Sequence, residues 1–343
     1  MKDNKMKNKV FLTSLLLLVF MGTAVFAQKG KDNPFKRGGG VIEYSGYAPL
    51  SDKPISLFYY IPSRGNIKKM KVLFSMHGAE RSGLVQRGVW RNLAEEHGFI
   101  VLAPQFVHKN GYLENDYQFG GVSETAKEFV LKPEEKWTYQ MIEHLFDYFK
   151  ECTGSTAATY DMFGHSAGGQ FVHRYLLMMP HARVGVAVAG NPGNYTYPMA
   201  EDLISPNGLS ADPSGWPFSF KNTPFATDDR LKAFFKRNLV ILVGTNDTEL
   251  MKEGTPENAV ALLQGKHRHE RGWNYFIMGQ NLAKAKGFEF NWKIQDVPEA
   301  GHSSSHLVYG QPNVRNWRID GGERVYNNKD LTNKGAYKII FEP

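Results

Sequence analysis

The stretch Phe163-Gly164-His165-Ser166-Ala167-Gly168-Gly169 constrains this chain more than any other. It sets Gly-x-Ser-x-Gly between two runs of opposite character. Ala158-Thr159-Tyr160-Asp161-Met162-Phe163, ahead of it, is rich in strand formers. Residues 169–179, after it, read as a helix stopped by Pro180. A chain that passes from strand to helix through so short a turn brings two backbones into close approach. Glycine two residues before and two after the serine leaves the room for it. The serine hydroxyl then stands clear of the sheet. A plain glycine-rich turn with a bystander serine would not need that flanking strand and helix.

Short apolar runs recur on both sides of this turn. Val41-Ile42-Glu43-Tyr44 and Ile55-Ser56-Leu57-Phe58-Tyr59-Tyr60-Ile61 end in turn residues and predict strands. Residues 72–76, 100–103, 184–189 and 239–243 have the length of buried strands, and 288–294 alternates as a strand does. Residues 90–97 and 134–152 have helical period. The second places Trp137, Met141, His144, Leu145 and Tyr148 on one face, with Pro133 near its start. Strands alternating with helices predict an α/β fold, a mostly parallel central sheet with helices on both faces. No break in composition marks a second domain, so residues 41–343 read as one.

After the sixth strand region, residues 191–229 form a loop-rich insertion of Asn, Pro, Gly and Ser. It carries Tyr195, Tyr197, Trp216, Phe218, Phe220 and Phe225. A loop of this length inside a compact domain is usually functional. Its aromatics either line a substrate groove, with Tyr195 and Trp216 as the candidates, or pin the loop to the sheet.

The amino-terminal end has a different purpose. Lys2, Lys5, Lys7 and Lys9 precede an apolar run over 10–20, and Ala24-Val25-Phe26-Ala27 supplies small residues before Gln28. This predicts a signal peptide over 1–27, cleaved on export to the periplasm or the medium. The apolar run is short for a membrane span, which takes about 20 residues, so no membrane association is expected after cleavage. Residues 28–40, rich in Lys and Gly, read as a flexible arm. Four lysines against Asp3 give the leader +3, leaving +4 of the net +7 for the rest of the chain. So mild a surplus, without an arginine block, argues against nucleic acid as a partner. Cys152 is the only cysteine, so no intrachain disulfide can form. Stability must come from a large packed core.

A serine hydroxyl is a weak nucleophile at neutral pH and needs a base, which in turn needs an orienting acid. On this architecture they follow the serine in the order acid, then histidine. Asp247, in Gly244-Thr245-Asn246-Asp247 after the run 239–243, is the candidate acid, with Glu249 and Asp229 as fallbacks. His302, in Ala300-Gly301-His302 after the run 288–294, is the candidate base. Both fall at carboxyl ends of strands, the edge where Ser166 lies. Two backbone donors are needed for a developing oxyanion. Ala167, after the serine, is one candidate; Ala79, in the Met76-His77-Gly78-Ala79 turn, is the other. His77 and His165 read as supporting residues. Tyr117 and Gln118 lie on the same edge and either shape the pocket or pack the loop.

Other clusters say less. His267, Arg268, His269 and Arg271 lack the spacing and further ligands of a zinc site and read as a solvated basic turn. Asp228-Asp229 has no spaced set of oxygen ligands for calcium.

The elbow, His77-Gly78-Ala79, Gly244-Thr245-Asn246-Asp247 and Gly301-His302 together resemble the α/β-hydrolase superfamily. Within it the chain is similar to the exported esterases grouped with poly(3-hydroxybutyrate) depolymerases and feruloyl esterases. The resemblance spans residues 56–306 and leaves 311–343 unplaced. It implies a two-step acyl transfer without metal or organic cofactor, acting on a small-molecule or oligomeric ester. Acetyl, methyl or feruloyl esters of polysaccharides and short polyesters are the expected substrates. Many members of that group carry disulfides near the site, which this chain cannot. A serine peptidase of the prolyl-oligopeptidase kind shares the triad, but no large extra domain fits before Val41. A non-catalytic binding protein on the same fold is the alternative from another class.

Overall fold

Among the described residues, eight strands make the central sheet: β1 Gly38–Tyr44, β2 Ile55–Ile61, β3 Val72–Met76, β4 Ile100–Gln105, β5 Tyr160–His165, β6 Val184–Gly190, β7 Asn238–Gly244 and β8 Lys293–Val297. Their order is β1-β2-β4-β3-β5-β6-β7-β8. Only the pairings of β2 with β1 and β4 are antiparallel; the rest are parallel. This is a computed structural model, and it describes residues 33–125, 128–200, 203–204, 210–211, 215–250 and 256–342. The expected leader lies outside the described residues.

The apolar runs are continuous because both faces of the sheet are covered. Successive side chains point to opposite faces. Phe74, Leu102, Met162, Ile241 and Val243 enter one core, while Leu73, Val101, Phe163, Val240 and Leu242 enter the other. The principal helices are α1 Gly83–His97, α2 Gln140–Thr153, α3 Ala167–Met178, α4 Asp228–Phe235, α5 Pro256–Gln264, α6 Arg268–Lys286, α7 Ser304–Tyr309 and α8 Ala336–Phe341. Side chains of α2, α3, α4 and α6 fill the first core, and those of α1, α7 and α8 fill the second. The fold is that of an α/β-hydrolase. β3 has β4 on one side and β5 on the other, so the order reverses there and opens a crevice beyond their carboxyl ends.

Several boundaries differ from the sequence reading. α1 begins at Gly83 rather than near Trp90, because the Ser82 side chain caps it by accepting the Val85 N–H at 3.2 Å. α2 begins at Gln140; residues Glu134–Lys136 form a separate 3-10 turn, and Trp137 has extended backbone. The alternating run 288–294 is mostly not strand. Phe288 and Phe290 pack partly buried at the edge of the first core, and Trp292 is buried in it. Trp292 lies 4.6 Å from Phe234 and 5.3 Å from Tyr275, ring centre to ring centre. The pairing register starts only at Lys293.

The flexible arm is corrected for its described part. Gly38–Gly40 pair with β2, Phe35 is buried 5.1 Å from the Tyr59 and Phe149 rings, and Arg37 Nη1 donates to the Pro62 carbonyl at 2.5 Å. Residues 28–32 lie outside the described residues.

The unplaced tail closes the second core. Its hairpin, β9 Trp317–Asp320 and β10 Glu323–Tyr326, lies on α1. Glu323 is buried between Arg87 Nε at 2.6 Å and Arg91 Nη1 at 2.9 Å. Gly88 permits the approach, since a side-chain carbon there would collide with the Arg324 carbonyl.

The insertion after β6 is held by its aromatics. Tyr195, Tyr197, Trp216, Phe218, Phe220 and Phe225 are all buried. Tyr195 stacks on Tyr275 at 4.3 Å. Arg174 of α3, wholly buried, donates to Thr196 Oγ1 at 2.7 Å, Asn194 Oδ1 at 2.6 Å and Gln170 Oε1 at 3.2 Å. Pinning is therefore what these aromatics do, and Tyr195 (0 % exposed) and Trp216 (7 %) do not present a surface to a substrate.

Candidate active site

Ser166 sits between β5 and α3 with φ 58° and ψ −116°, a left-handed position for a residue with a side chain. The neighbours hold it there. Its N–H donates to the Gly190 carbonyl at 2.9 Å, and its carbonyl accepts from the Gln170 N–H at 3.0 Å. A side-chain carbon on Gly164 would collide with the Gly168 carbonyl, and one on Gly168 with the Met76 carbonyl. The start of α3 thus lies against the end of β3.

Asp247 and His302 come from the loops after β7 and β8, which are tied together. Asn246 N–H donates to the Ala300 carbonyl at 2.9 Å, Thr245 N–H to the Val297 carbonyl at 3.1 Å, and Glu299 N–H to Thr245 Oγ1 at 2.7 Å. His302 Nε2 lies 3.0 Å from Ser166 Oγ, and its Nδ1 lies 2.6 Å from Asp247 Oδ2. A carboxylate only accepts, so Nδ1 carries the proton and Nε2 is left to accept from the serine hydroxyl. Asp247 is buried, and His302 stays 30 % open to solvent. The structure therefore brings together the three residues singled out from the sequence. Glu249 and Asp229 have no part in this chain of hydrogen bonds.

Ala167 opens α3, where backbone N–H groups lack intrahelical acceptors. Ala79 is exposed on the turn after β3. That turn is braced from below. His77 is buried, accepts the Phe106 N–H at Nε2 (3.0 Å) and faces the Gly78 carbonyl with Nδ1 (2.9 Å). Burial holds its pKa down to about 3, so it stays neutral. Tyr117 donates to the His77 carbonyl at 2.7 Å and stacks on its ring at 4.3 Å. The Arg81 guanidinium lies over the Tyr117 ring, 4.6 Å from its centre. Tyr117 is 0 % exposed, which corrects its reading as a substrate contact: it supports the turn that carries Ala79. Gln118 is half-buried, and its Oε1 has no hydrogen-bond partner among the described residues. His165, whose ring centre is 4.5 Å from that of His302, is held well below its ordinary pKa by burial and stays neutral.

Two residues here escaped the sequence reading. Asn191, buried with φ 44°, accepts the Gly244 N–H at Oδ1 (2.9 Å) and donates from Nδ2 to the Gly301 carbonyl (3.3 Å). It thereby joins the loops after β6, β7 and β8. Arg268 sets Nη1 3.3 Å from Asp247 Oδ1. Its segment is the first turn of α6, capped by His267, which accepts the Glu270 N–H at 3.2 Å; Arg271 is wholly buried. The solvated basic turn is thus corrected. The one local signal was a polar residue three before Glu270, a capping pattern. Among the described residues no three His, Cys, Asp or Glu side chains gather to hold a metal, and no helix is long and apolar enough to cross a membrane.

Comparison with solved structures agrees with this fold. Poly(aspartic acid) hydrolase-1 of Sphingomonas sp. KT-1 is 34% identical with a TM-score of 0.69, over 79% of this chain and 96% of that one. The poly(3-hydroxybutyrate) depolymerase LpqC of Bordetella parapertussis is 28% identical, also at 0.69, over 79% and 88%. No family model and no curated protein matches the sequence. The chain belongs to the α/β-hydrolase superfamily. Within it, the chain is a hydrolase.

Proposed function

We propose that this chain is an exported serine esterase working through an acyl-enzyme on Ser166. The observation that carries this reading is the unbroken chain Ser166 Oγ, His302 Nε2 at 3.0 Å, His302 Nδ1, Asp247 Oδ2 at 2.6 Å. His302 takes the serine proton as Oγ attacks the ester carbonyl, and Asp247 stabilises the imidazolium and holds its tautomer. The N–H groups of Ala79 and Ala167 receive the oxyanion of the tetrahedral intermediate. His302 then protonates the leaving alcohol. Water, deprotonated in turn by His302, hydrolyses the acyl-enzyme and frees Ser166. The leader over 1–27 supports export, which favours a nutrient or cell-envelope ester. Acetyl, methyl or feruloyl esters of polysaccharides and short polyesters are the substrates of choice, the last supported by the likeness to a poly(3-hydroxybutyrate) depolymerase.

A second reading is amide hydrolysis in an acidic polymer. The same attack opens an amide when His302 protonates the leaving nitrogen, and the likeness to a poly(aspartic acid) hydrolase favours it. One panel separates the two: p-nitrophenyl acetate, methyl-esterified pectin, feruloylated oligosaccharides, 3-hydroxybutyrate oligomers and poly(aspartic acid). Ser166→Ala should lower turnover on the true substrate on the order of 10⁶-fold with the fold intact. A variant keeping a tenth of wild-type activity would remove Ser166 from the mechanism. Sequencing the amino terminus of protein recovered from its host should find Gln28 or a close neighbour. Soluble active protein that still carries Met1 would rule out the cleaved leader.

A further inference from the structure

Asp247 has two carboxylate oxygens, and each has a partner of its own. Oδ2 meets His302 Nδ1 at 2.6 Å, and Oδ1 meets Arg268 Nη1 at 3.3 Å. The carboxylate is 1 % exposed, so water contributes little to its orientation. Its backbone is also tied to the same helix, since the His269 N–H donates to the Asp247 carbonyl at 3.4 Å. A carboxylate anchored through one oxygen swings about its Cβ–Cγ bond. Anchored through both, it presents a fixed plane to the imidazole.

We infer that Arg268 is a positioning residue for the Ser166–His302–Asp247 site, holding the Asp247 carboxylate so that Oδ2 faces His302 Nδ1. This inference rests on the serine-esterase reading above. Removing it frees the carboxylate to turn about its Cβ–Cγ bond, and so slows the chemical step while leaving substrate binding in place.

The other charged and titratable groups around the pair are held by burial or by partners of their own. From β5, His165 is held neutral by burial. From α7, His306 is pushed down by burial, as is His267 at the cap of α6. His269 is engaged with Asp296 at 2.9 Å, and Glu270 with the Lys266 N–H at 2.6 Å. Arg271, buried beside Asp247, keeps its charge throughout.

The test uses Arg268→Met, which keeps the aliphatic stem, and Arg268→Lys, which keeps the charge. Both are assayed on p-nitrophenyl acetate, with the active fraction counted by a fluorophosphonate label. Arg268→Met should lower kcat about 10- to 100-fold, the worth of a charged hydrogen bond, with KM little changed. Arg268→Lys, which keeps a charged donor, should recover part of kcat. A kcat within threefold of wild type in Arg268→Met would overturn the inference. So would a loss that merely follows a smaller active fraction, which is what a purely structural role gives. The two readings fail differently: hydrolysis surviving Ser166→Ala sinks the esterase site itself, whereas hydrolysis lost in Ser166→Ala and unmoved in Arg268→Met sinks only the role of Arg268.

Discussion

Replacing Asn191 separates side-chain bonding from backbone strain at the point where three site loops meet. Asn191→Ala leaves the buried Gly244 N–H without its 2.9 Å acceptor, which costs about 1–3 kcal/mol. It also forces alanine to φ 44°, a left-handed position that costs about 1 kcal/mol more. The expected loss is about 2–4 kcal/mol. Asn191→Gly removes the same bonds and fits the backbone freely, at a cost of about 0.5–1 kcal/mol in unfolded-chain entropy. The two variants should therefore lie within about 1 kcal/mol of each other, both well below wild type. Gly244 and Gly301 flank Asp247 and His302, so loosening them should lower kcat on p-nitrophenyl acetate about tenfold, the effect of roughly 1.4 kcal/mol on the barrier. Urea unfolding and steady-state kinetics on both variants are the assays. If Asn191→Gly matches wild type in stability and turnover, then the conformation at this residue matters and its hydrogen bonds do not, and the account of Asn191 as the tie between the loops fails.

Two further outcomes follow from burial. The Tyr195 hydroxyl has no hydrogen-bond partner among the described residues, so Tyr195→Phe should leave stability within about 0.5 kcal/mol of wild type or raise it, whereas Trp216→Ala should cost about 3–5 kcal/mol and lower activity on small and bulky esters alike; a selective rise in KM for the bulky ester would restore Trp216 to the substrate groove. His77, held to about 3, and His165 and His173, held well below their ordinary value, stay neutral in the folded chain while the unfolded chain protonates them below about pH 6.5. The unfolded state then binds more protons, so stability is full above that pH and falls as pH drops toward 3, by up to about 1.4 kcal/mol per pH unit for each; equal stability by urea unfolding at pH 7.5 and 5.0 would contradict it.

Local chemistry determined a good part of this protein. The glycines about Ser166 follow from the close approach of two backbones, and the apolar runs follow from a sheet covered on both faces. The chain order of Ser166, Asp247 and His302, each after a strand, is legible because parallel strands deliver their carboxyl ends to one edge. Tertiary structure decided the rest. Residue type says that Tyr195, Trp216 and Tyr117 carry large apolar surfaces, but only tertiary packing turns them inward: Tyr195 onto Tyr275 of α6, Tyr117 onto His77 and Phe171, and Trp216 beside Phe225. The alternation at 288–292 marks a one-sided segment, and aromatic contacts with α4 and α6 rather than a strand partner satisfy it. Arg91 and Glu323 are 232 residues apart, and Asn191 and Gly301 are 110 apart. Contacts at such separations leave no periodic trace in the chain, because what a side chain meets depends on which elements the fold lays beside it. Arg268 carries the same lesson: a basic residue in a polar stretch reads as solvated until the loop after β7 places a buried carboxylate 3.3 Å away.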